Sequence, residues 1–299
     1  FKQKTAYEIP KRDWSSDVCS SDLFLLTIIL IVGSKINAQN VLDGAYVHET
    51  TPTLKPVPFA FLREADVMWS KKIWRIIDLN EKINLPLKYP LSKDTKDRKS
   101  LMETMYDAIK EGTLTAYNSL DDEFTQRMTI EEVERAGGAG VDTIQVVDPN
   151  PPYMSKDSVV KREFKVDDVV AYRIKEEWFF DKQRSVIDVR IIGIAPMIYD
   201  KDEFGNIREG GVKKPIFWVY FPEARNILVN SEVYNRGNDA ERRTFDEIFM
   251  KRMFNSMIMK ESNVYNRRIS DYRVGLDAIL ESERIKSDIV NLEHDLWEY

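Results

Sequence analysis

The chain has 299 residues, 43% of them hydrophobic and 11% aromatic, and its 44 Lys and Arg against 50 Asp and Glu leave a net charge of −6. A mildly acidic chain with both signs interspersed argues against a nucleic-acid surface as its main business. Two histidines, His48 and His294, with the single cysteine Cys19 leave too few ligands for a zinc site and no Cys–His pair in a processed chain.

Residues 24–33 form an uninterrupted apolar run, Phe-Leu-Leu-Thr-Ile-Ile-Leu-Ile-Val-Gly. It falls short of the roughly 20 residues a spanning helix needs and fits the apolar region of a secretory signal peptide. A small residue, Ala38, stands just before Gln39. Residues 24–38 are therefore read as a signal peptide cleaved after Ala38, an uncleaved membrane anchor being the alternative. Upstream, Lys11 to Leu23 resembles translated sequencing-adapter read-through, so residues 1–23 are expected to be non-native. Cys19 goes with them, and residues 39–299 hold no cysteine for a disulfide.

Residues 39–61 read as an extended arm, because Pro52, Pro56 and Pro58 disfavour helix at and before their own sites. Such an arm either crosses a neighbouring subunit or folds back on its own domain. Leu62, Ala65, Trp69, Ile73 and Ile76 recur at three- and four-residue steps, which predicts a helix over 62–79. Val67, Trp74 and Ile77 add a second stripe, suiting burial on two sides. Lys99–Glu111 predicts a second helix, with Met102, Met105, Tyr106 and Ile109 on one face and Gly112 as its C-terminal cap. Thr113–Tyr117 follows as a short strand and 120–128 as a short helix. Residues 129–168, with Gly137–Gly140 and Pro149–Pro152, read as a flexible loop that includes a strand near Thr143–Val147.

The strongest strand pattern is Tyr172, Ile174, Trp178 and Phe180 alternating with Arg173, Lys175 and Glu177. Asp181–Arg184 makes a turn and Val186–Ile194 returns, with a phase change at Ile191–Ile192 that predicts a bulge or two-faced burial. Ile216–Phe221 is a buried strand stopped by Pro222. A helix is predicted over Thr244–Lys260 from Phe245, Phe249, Met253 and Met257, and a last one carries Leu276, Leu280, Ile285, Ile289, Leu292 and Leu296. The acidic, aromatic residues Glu293–Tyr299 either dock into a groove or pack as an ordinary last turn. Asp66–Trp74 and Asp246–Phe254 share a pattern that either a repeat or two generic amphipathic helices would explain. The fold class is α+β: an antiparallel sheet of at least three strands, several amphipathic helices and an extended N-terminal arm. The arm is 39–61, the helical part 62–128, the loop 129–168, and the sheet with the C-terminal helices 169–299.

Catalytic signatures are absent from the sequence. There is no phosphate-binding Gly-x-x-x-x-Gly-Lys-Ser/Thr loop, and Gly137–Gly140 lacks dinucleotide spacing. Asp200–Gly205 begins like a calcium loop, but Phe204 and Gly211 occupy ligand positions. Glu176 and Glu177 are neighbours on a strand and point to opposite faces.

Several long, tryptophan-rich passages resemble the gliding-motility family GldN, also called PorN. They are Leu62–Asn84, Lys175–Ser185, Ile191–Pro196, Phe217–Arg225, Phe245–Tyr265, Glu281–Lys286 and His294–Tyr299. The resemblance implies a non-catalytic component of the type IX secretion system, without a cofactor or small-molecule substrate. It implies a periplasmic ring formed by self-association with an outer-membrane lipoprotein, GldK/PorK, and contact with the periplasmic part of the motor protein GldM/PorM. Tryptophan is enriched among interface anchors, so Trp69, Trp74, Trp178 and Trp297, with Tyr299, are the candidate partner-contacting residues. The rival class is a stand-alone periplasmic ligand-binding or enzyme domain, which would need a concave pocket with convergent polar groups.

Overall fold

The computed structural model describes residues 53–91, 98–147, 155–162, 164–201, 206–208, 210–238 and 240–297. In chain order these form β1 (Val67–Asp78), α1 (Leu85–Lys88), α2 (Leu101–Lys110), β2 (Ala116–Asn118), β3 (Arg127–Met128), α3 (Ile130–Ala136), β4 (Gly140–Val147) and β5 (Ser155–Arg162). There follow β6 (Val169–Asp181), β7 (Val186–Tyr199), β8 (Lys213–Pro215), β9 (Phe217–Tyr220), α4 (Phe221–Leu228), α5 (Phe245–Met250), β10 (Met257–Glu261) and α6 (Leu276–Trp297). Eight strands make one antiparallel sheet in the order β10-β1-β6-β7-β9-β2-β3, with β8 on β7, and β4 and β5 pair as a separate hairpin. The α+β class holds.

The segment read as the first helix is a strand. Val67, Trp69, Ile73, Trp74, Ile76 and Ile77 are β-branched or aromatic and favour a pleated surface. The two apolar stripes are the two sides of that surface: Ile73 and Ile77 are fully buried on one, Trp74 on the other. A strand buried on both faces is apolar at nearly every position, so a helical step pattern arises in it without a helix. β1 pairs along its length with β6, Ile73 opposite Glu176 and Trp74 opposite Lys175, and with the edge strand β10 on its other side.

The predicted β6–β7 hairpin is present. The Asp181 carboxylate accepts hydrogen bonds from the Gln183 amide at 2.9 Å and from Arg184 Nε at 2.7 Å, which fixes the turn. Lys175 pairs with Gly193 but Glu176 pairs with Ile191, so Ile192 is the extra residue of a bulge where the apolar phase changes. β7 continues past Ile194 to Tyr199.

Helix α2 forms as its sequence dictates. Ser100 Oγ accepts from the Glu103 amide at the start, and Gly112 takes the left-handed conformation (φ 75°) just past the end. Residues 120–128, expected as a helix, instead form a turn leading into β3; Asp121 binds the backbone amides of Glu123, Thr125 and Gln126 and diverts the chain from helical bonding. The segment 129–168, expected as a flexible loop with a strand near Thr143–Val147, holds that strand within β4, which pairs with β5, and also α3, capped reciprocally by Thr129 and Glu132.

The helix expected over Thr244–Lys260 stops at Met250, because Arg252 turns left-handed (φ 52°). Met257–Lys260 then lies in β10 against β1. The chain's two similar passages thus adopt different structures, a strand at 67–74 and a short helix at 245–250. Ile216–Phe221 is likewise split: β9 ends at Tyr220 and Phe221 opens α4, with Pro222 in its first turn, where a missing amide costs nothing.

One face of the sheet carries the main core. Ile77, Tyr172, Ile174, Ile191 and Ile194 pack against Met102 and Met105 of α2, Phe221 and Leu228 of α4, and Phe245 and Phe249 of α5. A buried bidentate pair, Arg225 to Asp246 at 2.8 and 3.1 Å, ties α4 to α5. The described part of the arm folds back onto its own domain. Leu54 exchanges hydrogen bonds with the Asn230 side chain, and Phe59 stacks 4.6 Å from the Arg225 guanidinium and 5.2 Å from that of Arg190. Residues 1–52, including the expected signal peptide, lie outside the described residues.

Candidate partner-binding surface

The opposite face of the sheet is built differently. Register places Trp74 of β1 between Lys175 of β6 and Lys260 of β10, with Arg173 two residues further along β6 opposite Ile76. Lys260 Nζ lies 4.2 Å from the Trp74 ring centre and Lys175 Nζ 5.6 Å from it, distances at which the indole face attracts a cation. Among the described residues no helix packs in this cluster, which consists of Trp74 with Ala195, Trp218, Tyr117, Phe124 and Met259.

The loop between β2 and β3 reaches over the cluster from one side. Asp122 Oδ2 accepts from Trp74 Nε1 at 2.8 Å, and Lys175 donates to the Asp122 carbonyl at 2.5 Å with its Nζ 3.7 Å from the carboxylate. Phe124, left-handed at φ 60°, sets its ring edge-on to Tyr117, Trp218 and Tyr220. Gly193 is required beneath it, since a Cβ there would come within 2.5 Å of the Phe124 ring. Asp121 holds the loop by four hydrogen bonds, including one from the Thr125 hydroxyl, and these keep its carboxyl down at about 2.

The cations crowd one another. Burial, and then the charge of Arg268, push Arg173 down to about 10. Lys260 is lowered first by burial and then by Arg268, Lys175 and Arg173, with Asp122 opposing. Lys175 is lowered by burial and by Lys72, Asp122 again opposing. This face thus gathers Arg173, Lys175 and Lys260 around Asp122, with Lys72 and Glu123 also bearing on Lys175.

The other tryptophans lie elsewhere. Trp69 and Trp178 are half-buried on the opposite face, packed against Ile73, Ile258, Ile269, Ile285 and Ile289, where α6 covers the sheet. Trp178 Nε1 donates to Glu176 Oε2 at 3.0 Å. Glu176 is fully buried and pairs with Arg252, whose Nη2 is 2.9 Å from Oε1 and whose guanidinium stacks 5.4 Å from the Trp178 ring. Trp297 is the last residue of α6 and Tyr299 lies outside the described residues. The candidate residues thus form no single patch: Trp74 stands on one face, Trp69 and Trp178 on the other.

Residues 62–298 match the family described as gliding motility associated protein GldN. The chain belongs to the GldN family. A comparison with curated proteins gives no match. The GldN match runs from before β1 through α6, so it takes in both faces and every tryptophan placed above.

Sequence reasoning about this GldN-family chain missed Arg173, Lys260, Asp122 and Phe124. Arg173 and Lys175 were legible as the polar side of β6, which reads as a solvated face. In fact they are 9% and 5% exposed, and Lys175 lies over the Trp74 and Phe124 rings. The available signal was two cations at a two-residue step on a strand rich in aromatics. Elsewhere an open groove of about 270 Å³ is lined by Ile83, Pro86, Val233, Tyr234, Ile248 and Met253, with Asn235 and Arg243 both engaged by Glu241. Among the described residues no helix is long and apolar enough to cross a membrane.

Proposed function

We propose that this GldN-family chain is a non-catalytic structural subunit of the type IX secretion and gliding apparatus. In this reading residues 24–38 export it to the periplasm, with cleavage after Ala38. There it builds a ring by self-association with a GldK/PorK-type outer-membrane lipoprotein and touches the periplasmic part of a GldM/PorM-type motor. Its work is mechanical: rigid interfaces pass force or position between motor and ring.

The observation that carries the reading is the family match over 62–298. The broad sheet with a helix-covered face and an aromatic, cationic opposite face supports it, because such a body offers more than one surface to partners. The test is co-expression of the full chain with the lipoprotein, followed by size-exclusion chromatography with light scattering. A large joint species is expected; a monomer indifferent to the lipoprotein overturns the reading. Mass spectrometry of the exported protein should find Gln39 at its N-terminus.

A further inference from the structure

We propose that the face around Trp74 is a docking site for an acidic segment of a partner protein, in which carboxylates stand next to apolar side chains. Arg173 and Lys260 supply the charge, Arg268 lies close enough for its charge to act on both, and Trp74 is the apolar floor. The site goes beyond ring membership and does not depend on it.

Three observations lead there. First, Arg173 Nε is buried without a hydrogen-bond partner, although a buried polar group is normally satisfied. Second, Arg173, Lys260 and Arg268 make no ion pair among the described residues, while Asp122, the acid at the centre of the cluster, is already occupied by Trp74 and Lys175 and Glu123 bears on Lys175. Third, burial and mutual repulsion lower the proton affinity of Arg173 and Lys260, so an incoming negative charge would relieve both.

The chemistry selects a peptide carboxylate. A guanidinium pairs with a planar carboxylate through two parallel hydrogen bonds, and a tryptophan floor beside it suits an apolar neighbour on the same segment. A flat anionic bilayer fits less well, because Arg173 and Lys175 are 9% and 5% exposed and do not stand out from the sheet. Charge complementarity of this kind sets partner choice and register.

The probe is a short labelled peptide alternating glutamate with leucine, titrated into the full chain by fluorescence anisotropy. Saturable binding is expected, weakened about tenfold or more by Arg268→Gln and by Arg173→Met, and lost when glutamine replaces glutamate in the peptide. Arg268 is exposed, so its variant keeps the test valid if Arg173→Met fails to fold, and thermal melting distinguishes the two cases. The proposal is overturned if the peptide does not bind, if the glutamine peptide binds equally well, or if Arg268→Gln changes nothing. Binding of phosphatidylglycerol vesicles in place of the peptide would also overturn it and assign the face to a membrane surface.

Discussion

Glu176 shows how much one side chain organises. It is fully buried, accepts from Trp178, and pairs with Arg252, the residue whose left-handed backbone ends α5 and starts the approach to β10. Removing one member of a buried ion pair leaves the other uncompensated, which costs about 3–5 kcal/mol. Arg252 is about one-third exposed and can turn to water, so Glu176→Ala should cost about 3 kcal/mol, the lower end. Urea denaturation reads this directly, and Glu176→Gln, which keeps an acceptor for Trp178, should lose less. Asp121 gives the pH prediction. Its carboxyl lies near 2 in the folded chain against 3.8 ordinarily. Stability from a depressed carboxyl is present above the ordinary value and lost as pH falls through the folded one. Acidification from about pH 4 towards 2 should therefore loosen the loop that carries Asp122 and Phe124, read as a change in fluorescence beside Trp74 and Trp218. In Asp121→Asn that step should be absent.

Among the elements, edge strand β10 depends on α6. The Ile258 amide donates to Ser282 Oγ at 2.9 Å, and Ser282 is buried against the strand. Ser282→Ala should leave that amide unsatisfied at a cost of about 1–2 kcal/mol. Light scattering should report more self-association, because an unguarded edge templates strand addition. The same elements explain what the sequence made legible. β6 and β7 alternate cleanly, and even the bulge at Ile192 left its mark in the apolar phase. α2 carried a serine cap and a terminal glycine. β1 hid its period because both of its faces are buried. The end of α5 hid because its left-handed residue is an arginine held by Glu176, a partner 76 positions away that no local pattern announces. The cationic face was invisible for a related reason: β1, β6 and β10 converge on it from distant parts of the chain.

For the whole molecule, the two sheets differ in support. β6 and β7 sit at the centre of eight strands with a helical layer on one face, whereas among the described residues β4 and β5 pair only with each other. A two-stranded hairpin is marginal by itself, so amides of 140–147 and 155–162 should exchange with deuterium well before those of 169–181 and 186–199. Mass-spectrometric hydrogen exchange checks this, and equal protection would show that the hairpin has support beyond its own pairing.

The arrangement of β1, β6 and β7 also bears on how the molecule would carry a load. Their pairing runs nearly end to end, from Val67 to Asp78 and from Val169 to Asp181. A pull along these strands strains the whole ladder in parallel, and no hydrogen bond fails before its neighbours share the stress. A pull that separates Gly140 from Arg162 opens the small hairpin one rung at a time from that end. The large sheet is thus a stiff plate, and the hairpin is where the molecule would yield first.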